Sequence, residues 1–230
     1  MSMALQNYMP VLFSALGLWW IANMIRAEDR ALGQMALVAF ALITVAGVLK
    51  ATWKLTMSIS QTDVALFRDA LFVLIGPGFT MMAYSVLPLP LGEAERPSGS
   101  RGEGRVWGIW TKPVFISAIA LAVAGGIAVA LQSRAWVFVL MGLTTVANTA
   151  FMILLMRRAK AQGQMAAFAL FGINLAVGFA LAGIGGMPNK TLETHWAEQI
   201  VSTLSNAGFA CAAWMLVHHP SKKINTLAPA

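Results

Sequence analysis

Residues 31–53 read ALGQMALVAFALITVAGVLKATW, 23 residues in which the only charged side chain, Lys50, stands three places from the end. A helix on the surface of a soluble domain carries a polar face, and this stretch has none. Crossing a bilayer takes about 20 predominantly apolar residues, and a helix satisfies its own backbone polar groups where water is missing. Ala31–Trp53 has that length and predicts a transmembrane helix.

The same reading extends in both directions. Six further apolar stretches, each closed by charge, Pro or Gly, lie at about Tyr8–Ile25, Val64–Val86, Pro113–Leu131, Ala135–Met156, Met165–Gly185 and Trp196–Val217. The expected fold is therefore all-α, a single domain over residues 1–230 forming an integral membrane bundle of seven transmembrane helices. Composition agrees: of 230 residues 58% are hydrophobic and 11% charged, where soluble domains carry about 25% charged residues. Mean hydropathy is +0.71. No basic residue precedes the first apolar stretch and no small-residue cleavage pattern follows it, so that stretch is expected to stay as a span rather than leave as a signal peptide.

Sixteen Lys and Arg face nine Asp and Glu. In a membrane protein this excess follows from topology and requires no nucleic-acid partner. Eleven cations (Arg26, Arg30, Arg96, Arg101, Arg105, Lys112, Arg157, Arg158, Lys160, Lys222 and Lys223) fall on one side of the seven spans, and four (Lys50, Lys54, Arg134 and Lys190) on the other. That bias predicts the N-terminus outside and the C-terminus inside. Trp53, Trp107, Trp110, Trp136, Trp196 and Trp214 fall near span ends, where an amphipathic ring suits the headgroup layer. Residues 88–112, with Pro88, Pro90, Pro97 and several glycines, are expected to form a flexible cytoplasmic loop.

Helices in lipid associate through small residues that let backbones approach. Ala118, Ala122, Gly126 and Ala130 on the fourth span, and Gly172, Ala176 and Ala180 with Gly178, Ala182 and Gly186 on the sixth, predict tight helix contacts, with a homo-oligomer surface as the alternative. Gly76-Pro77-Gly78 near the centre of the third span predicts a hinge, since Pro77 removes a backbone donor and crowds the preceding turn.

Polar groups inside spans are costly and mark either function or buried pairing. Lys50 and Lys54, Arg68 and Asp69, and His195, Glu198 and Gln199 all fall toward the same, outer, side. Beneath them His195, Gln199, Ser202 and Asn206 share one face of the last span, while Asn148 and Asn174 lie at mid-membrane on the fifth and sixth. These eleven residues predict a ligand or ion cavity leading inward from the outer mouth. Interhelical hydrogen bonds and ion pairs are the competing explanation.

Familiar chemistries lack their residues. A bis-histidine haem would need axial ligands inside spans, but His195, His218 and His219 lie at span ends. His195 with Asp69 and Glu198 is a meagre zinc set, and no HExxH, GxSxG, phosphate-binding loop or CxxC occurs. The single cysteine, Cys211, can form no internal disulfide. Catalytic residues are not expected.

In architecture alone, the seven spans, the outside N-terminus and the Arg68-Asp69 pair on the third span resemble microbial rhodopsins. The resemblance would imply retinal on a lysine in the middle of the last helix, where this chain has Ser205, Asn206 and Ala207, so covalently bound retinal is disfavoured. The expected role is a sensor or binding protein for a small molecule or ion, with a cavity opening outward. The alternatives are a small ion- or proton-coupled transporter using Asp69 or Glu198, and an accessory subunit of a membrane complex; a membrane hydrolase built on His195 has the least behind it. With no appended domain or sorting tail, the expected location is a bacterial inner (cytoplasmic) membrane.

Overall fold

The computed structural model describes residues 6–89, 105–131, 135–185 and 191–218. All regular structure among them is helical: α1 (Tyr8–Glu28), α2 (Arg30–Ser60), α3 (Ala65–Val86), α4 (Arg105–Leu131), α5 (Trp136–Ala161), α6 (Met165–Gly185) and α7 (Leu192–His218). Each of the seven is long and apolar enough to cross a membrane, which makes the chain an integral membrane protein.

Several helices overrun their apolar stretches, α2 and α4 by the most. Residues 54–60 keep α2 going past Trp53 until Gln61, at φ 55°, adopts the left-handed conformation that ends many helices. Similarly, α4 starts at Arg105, so the expected loop over 88–112 is helical over its last eight residues and Pro113 falls inside the helix. Residues 90–104 of that loop lie outside the described residues, as do Arg96, Arg101, Arg134, Gly186, Lys190, His219, Lys222 and Lys223.

Asp29 alone joins α1 to α2. Its backbone N–H bonds to Ile25 O at 2.8 Å, and its Oδ1 accepts from Ala31 N and Leu32 N at 2.9 and 3.1 Å, so one residue closes one helix and caps the next. The turn is tight enough to require glycine at position 33, where a Cβ would stand 2.3 Å from Arg26 Cα.

The helices form a ring in the order α1, α2, α3, α5, α6, α7 and back to α1, with α4 outside it against α5 and α3. Glycines set the closest approaches. A Cβ on Gly17 would come 2.6 Å from the Phe209 ring, and one on Gly78 the same distance from Ile43 Cγ1. Gly76 faces the other way, where its Cβ would lie 3.1 Å from Leu143. The Gly76-Pro77-Gly78 segment is thus the place where α3 is clasped between α2 and α5. The helix runs through it without interruption, and Thr80 Oγ1 donates to Gly76 O at 2.9 Å.

The small-residue stripe of α4 does not make the expected contact within the chain. Ala118, Ala122 and Gly126 are exposed and nothing would meet a Cβ on Gly126, because α4 turns its Pro113, Ser117 and Ala124 face inward instead. On α6, Gly172 meets Met156, but Ala176, Ala180 and Ala182 are exposed.

The core is off-centre. Ile21, Ile25, Leu32, Met35, Met82, Phe151, Leu155, Phe171 and Leu216 are at most 2% exposed, and all lie in the half of the bundle that ends at Glu28. Outward-facing Leu12, Leu66, Phe115, Phe138 and Val146 are exposed, as lipid contact requires of helices apolar on every side.

Candidate functional site

The half of the ring that ends at Tyr8 holds a cavity, although Leu140, Ala46 and Ala51 are buried there too. A cavity of about 370 Å³, partly open, is lined by all six ring helices: Val11, Ser14 and Leu18 from α1, Ile43 and Gly47 from α2, Ile75 and Phe79 from α3, Asn148 and Met152 from α5, Asn174, Val177, Gly178 and Leu181 from α6, and Ser202, Ser205, Asn206 and Phe209 from α7. Leu18, Phe79, Met152 and Phe209 form its floor, and the packed core lies directly beyond them. Among the described lining residues none is ionisable.

Four of the expected site residues meet here: Asn148, Asn174, Ser202 and Asn206. Asn174 Nδ2 donates to Ser205 O at 3.0 Å and to Ser205 Oγ at 2.9 Å, tying α6 to α7. Asn206 Nδ2 donates to Ser202 O at 2.8 Å within α7. Both amides face a backbone carbonyl, which only a nitrogen can satisfy, and that fixes which end of each amide is oxygen. Ser14 Oγ donates to Val11 O at 3.1 Å.

The other seven do not line the cavity. They sit nearer the Tyr8 end of the bundle. Arg68 Nε bonds Asp69 Oδ1 at 3.0 Å, and Arg68 Nη1 also pairs with Asp63 just before α3. Trp53 Nε1 donates to Asp63 Oδ1 at 2.9 Å, and Lys50 Nζ stands 4.2 Å from the Trp53 ring centroid. Lys54 Nζ donates to Asn7 Oδ1 at 2.8 Å beside the 2.9 Å bond between Tyr8 and Thr52 hydroxyls, so polar contacts fasten α1 to α2 at this end. His195 Nδ1 lies 3.8 Å from Glu198, and Gln199 O accepts from Thr203 Oγ1 at 2.7 Å. The expected seam is thus divided: the charged groups gather toward the Tyr8 end, apart from the neutral cavity lining.

Sequence reasoning missed Ser14, Phe79, Gly178 and Phe209, whose residue types are ordinary in any span. It also misplaced Arg158, counted among the loop cations but 5% exposed here. Arg158 Nη2 reaches across the ring from α5 to Glu28 at the end of α1, while Nε and Nη1 are buried without a partner. One signal was available. Adjacent residues on a helix point about 100° apart, so Arg157 and Arg158 cannot both face out squarely; Arg157 is the exposed one.

Among the described residues no three His, Cys, Asp or Glu side chains gather as a metal site. No protein-family profile, curated protein or solved structure matches the chain.

Proposed function

We propose that this protein is a membrane-embedded binding protein of the sensor type, whose ligand occupies the chamber between α1, α2, α3, α5, α6 and α7. The observation that carries this reading is the chamber itself. Holding open a space of about 370 Å³ forfeits packing that the other half of the ring achieves, and binding pockets begin at about 300 Å³. A ligand seated there touches Ile75 and Phe79, which flank the Gly76-Pro77-Gly78 clasp, so occupancy bears on how α3 sits between α2 and α5. In this reading Gly76, Pro77 and Gly78 are the hinge, and the charged rim of Lys50, Lys54, Arg68, Asp69, His195, Glu198 and Gln199 surrounds the entrance.

The positive-inside bias supports a proposed orientation with the Tyr8 end outside and the Glu28 end in the cytoplasm, and the chain is proposed for a bacterial inner membrane in a bundle rhodopsin-like in architecture only. A carrier is the weaker reading, because its path would have to open through the packed half and past the Arg158–Glu28 pair.

Replacing Gly178 by Leu supplies the test, since Gly178 lines the chamber and a Cβ there meets nothing within 4 Å. Protein purified gently from its native membrane is expected to carry a stoichiometric organic molecule, seen by mass spectrometry or absorption, that Gly178→Leu lacks. Identical cargo in both proteins, or none in either, overturns the reading.

A further inference from the structure

The hydrogen-bonding state of the chamber wall narrows what it binds. Asn174 has turned both amide hydrogens to Ser205, which leaves its carbonyl oxygen as the group available to a guest. Asn206 has turned one amide hydrogen to Ser202 O and keeps its oxygen and its second N–H. The Asn148 amide and the Ser202 hydroxyl line the same space and make no side-chain hydrogen bond among the described residues. At mid-height the wall therefore presents the Asn174 and Asn206 oxygens as acceptors, beside groups that can both donate and accept (the second Asn206 N–H, the Asn148 amide and the Ser202 hydroxyl), with Phe79 and Phe209 below.

None of the described lining residues can balance a charge, and moving an unpaired ion into such surroundings costs several kcal/mol. A cavity of about 370 Å³ suits a compact ligand such as a two-ring compound with a short substituent.

We infer that the ligand is a neutral, largely apolar molecule of about that size that donates hydrogen bonds, through hydroxyl or N–H groups, to the amide oxygens of Asn174 and Asn206. This inference rests on the proposed binding role and deepens it. A buried acceptor left unmatched is penalised, so the wall discriminates against guests without donors more strongly than it rewards guests with them.

The test uses the full chain in lipid nanodiscs, with empty nanodiscs as the blank for partitioning. Four biphenyl probes of one shape are compared by equilibrium dialysis: 4-phenylphenol, 4-methoxybiphenyl, biphenyl-4-carboxylate and 4-phenylbenzylammonium. The expected result is saturable binding of one 4-phenylphenol per chain, with the methoxy compound about tenfold weaker or more and both ions weaker still. Asn206→Leu should weaken 4-phenylphenol about tenfold while barely moving 4-methoxybiphenyl. Asn148→Leu, which leaves the α6–α7 bonds intact, should also narrow the gap between those two probes. An ion binding as tightly as the phenol, or a methoxy compound matching it, overturns the ligand class and leaves the chamber as a binding site. No saturable binding of any probe, or equal binding by Gly178→Leu, overturns the chamber reading as well.

Discussion

Removing either member of the Arg158–Glu28 pair should have unequal consequences. The Arg158 side chain is 6% exposed against 21% for Glu28, and Glu28 is the last residue of α1. Glu28→Ala leaves a guanidinium buried with no carboxylate, when Nε and Nη1 already lack partners. Loss of one member of a buried pair costs about 3–5 kcal/mol, a factor of roughly 10² to 10³·⁵ in the folding equilibrium. Arg158→Met instead removes the buried charge and its unmatched donors, and leaves a carboxylate that turns into water, so the loss should stay near the 0–1 kcal/mol of an exposed pair. The double variant should recover most of what Glu28→Ala loses. Equilibrium unfolding in mixed dodecyl maltoside and SDS micelles, followed by tryptophan fluorescence, measures all three. Equal losses in the two single variants, or a double variant worse than Glu28→Ala, would refute the account of a buried cation held by a partly wet anion.

Gly33→Ala should destabilise by about 1–3 kcal/mol in the same assay, because the added methyl collides with Arg26 backbone that cannot move aside, whereas Gly125→Ala, which meets nothing within 4 Å, should be neutral or slightly stabilising. Asp29→Ala removes the cap of α2 and should cost about 1 kcal/mol. On a Cys211→Ala background, Ser60→Cys should react with an impermeant maleimide from outside intact cells and Ala161→Cys only after lysis, since both positions are exposed and lie at opposite ends of the bundle. The reverse pattern would invert the proposed orientation.

The spans were readable because lipid demands about 20 apolar residues whatever they pack against. Their ends were less so: the capping of α2 by Asp29 and its termination at Gln61 depend on local geometry that hydropathy ignores. The neutral part of the site was visible as Ser202 and Asn206 one turn apart, with Asn148 and Asn174 at matching depth. What could not be read was rotation about each helix axis. An alanine–glycine stripe looks the same whether it faces a helix of the same chain, a second copy or lipid, so the sequence could not show that the α4 stripe makes no contact within the chain. The same blindness hid Arg158, which by sequence position is one more loop cation.

Two pairs of neighbours in the ring run in the same direction. Gly76 faces Leu143 while the Phe79 and Phe151 rings lie 6.2 Å apart, so α3 and α5 descend together; Gly17 faces Phe209 and Trp20 lies 6.4 Å from His218, so α1 and α7 do too. Same-direction neighbours cannot be stitched by a hairpin, and the chain has to recross the bilayer between them. At the α7/α1 junction the two helices lie side by side with no direct connection between them. Between α3 and α5, α4 is the return stroke, made on the outside so that the ring can shut without it. The helices therefore divide into two triplets of identical threading, α1–α3 and α5–α7, joined by one pendant span. Exchanging α4 for an unrelated span should preserve the ring, whereas deleting it would thread the second triplet upside down and leave Arg158 at the opposite face of the membrane from Glu28.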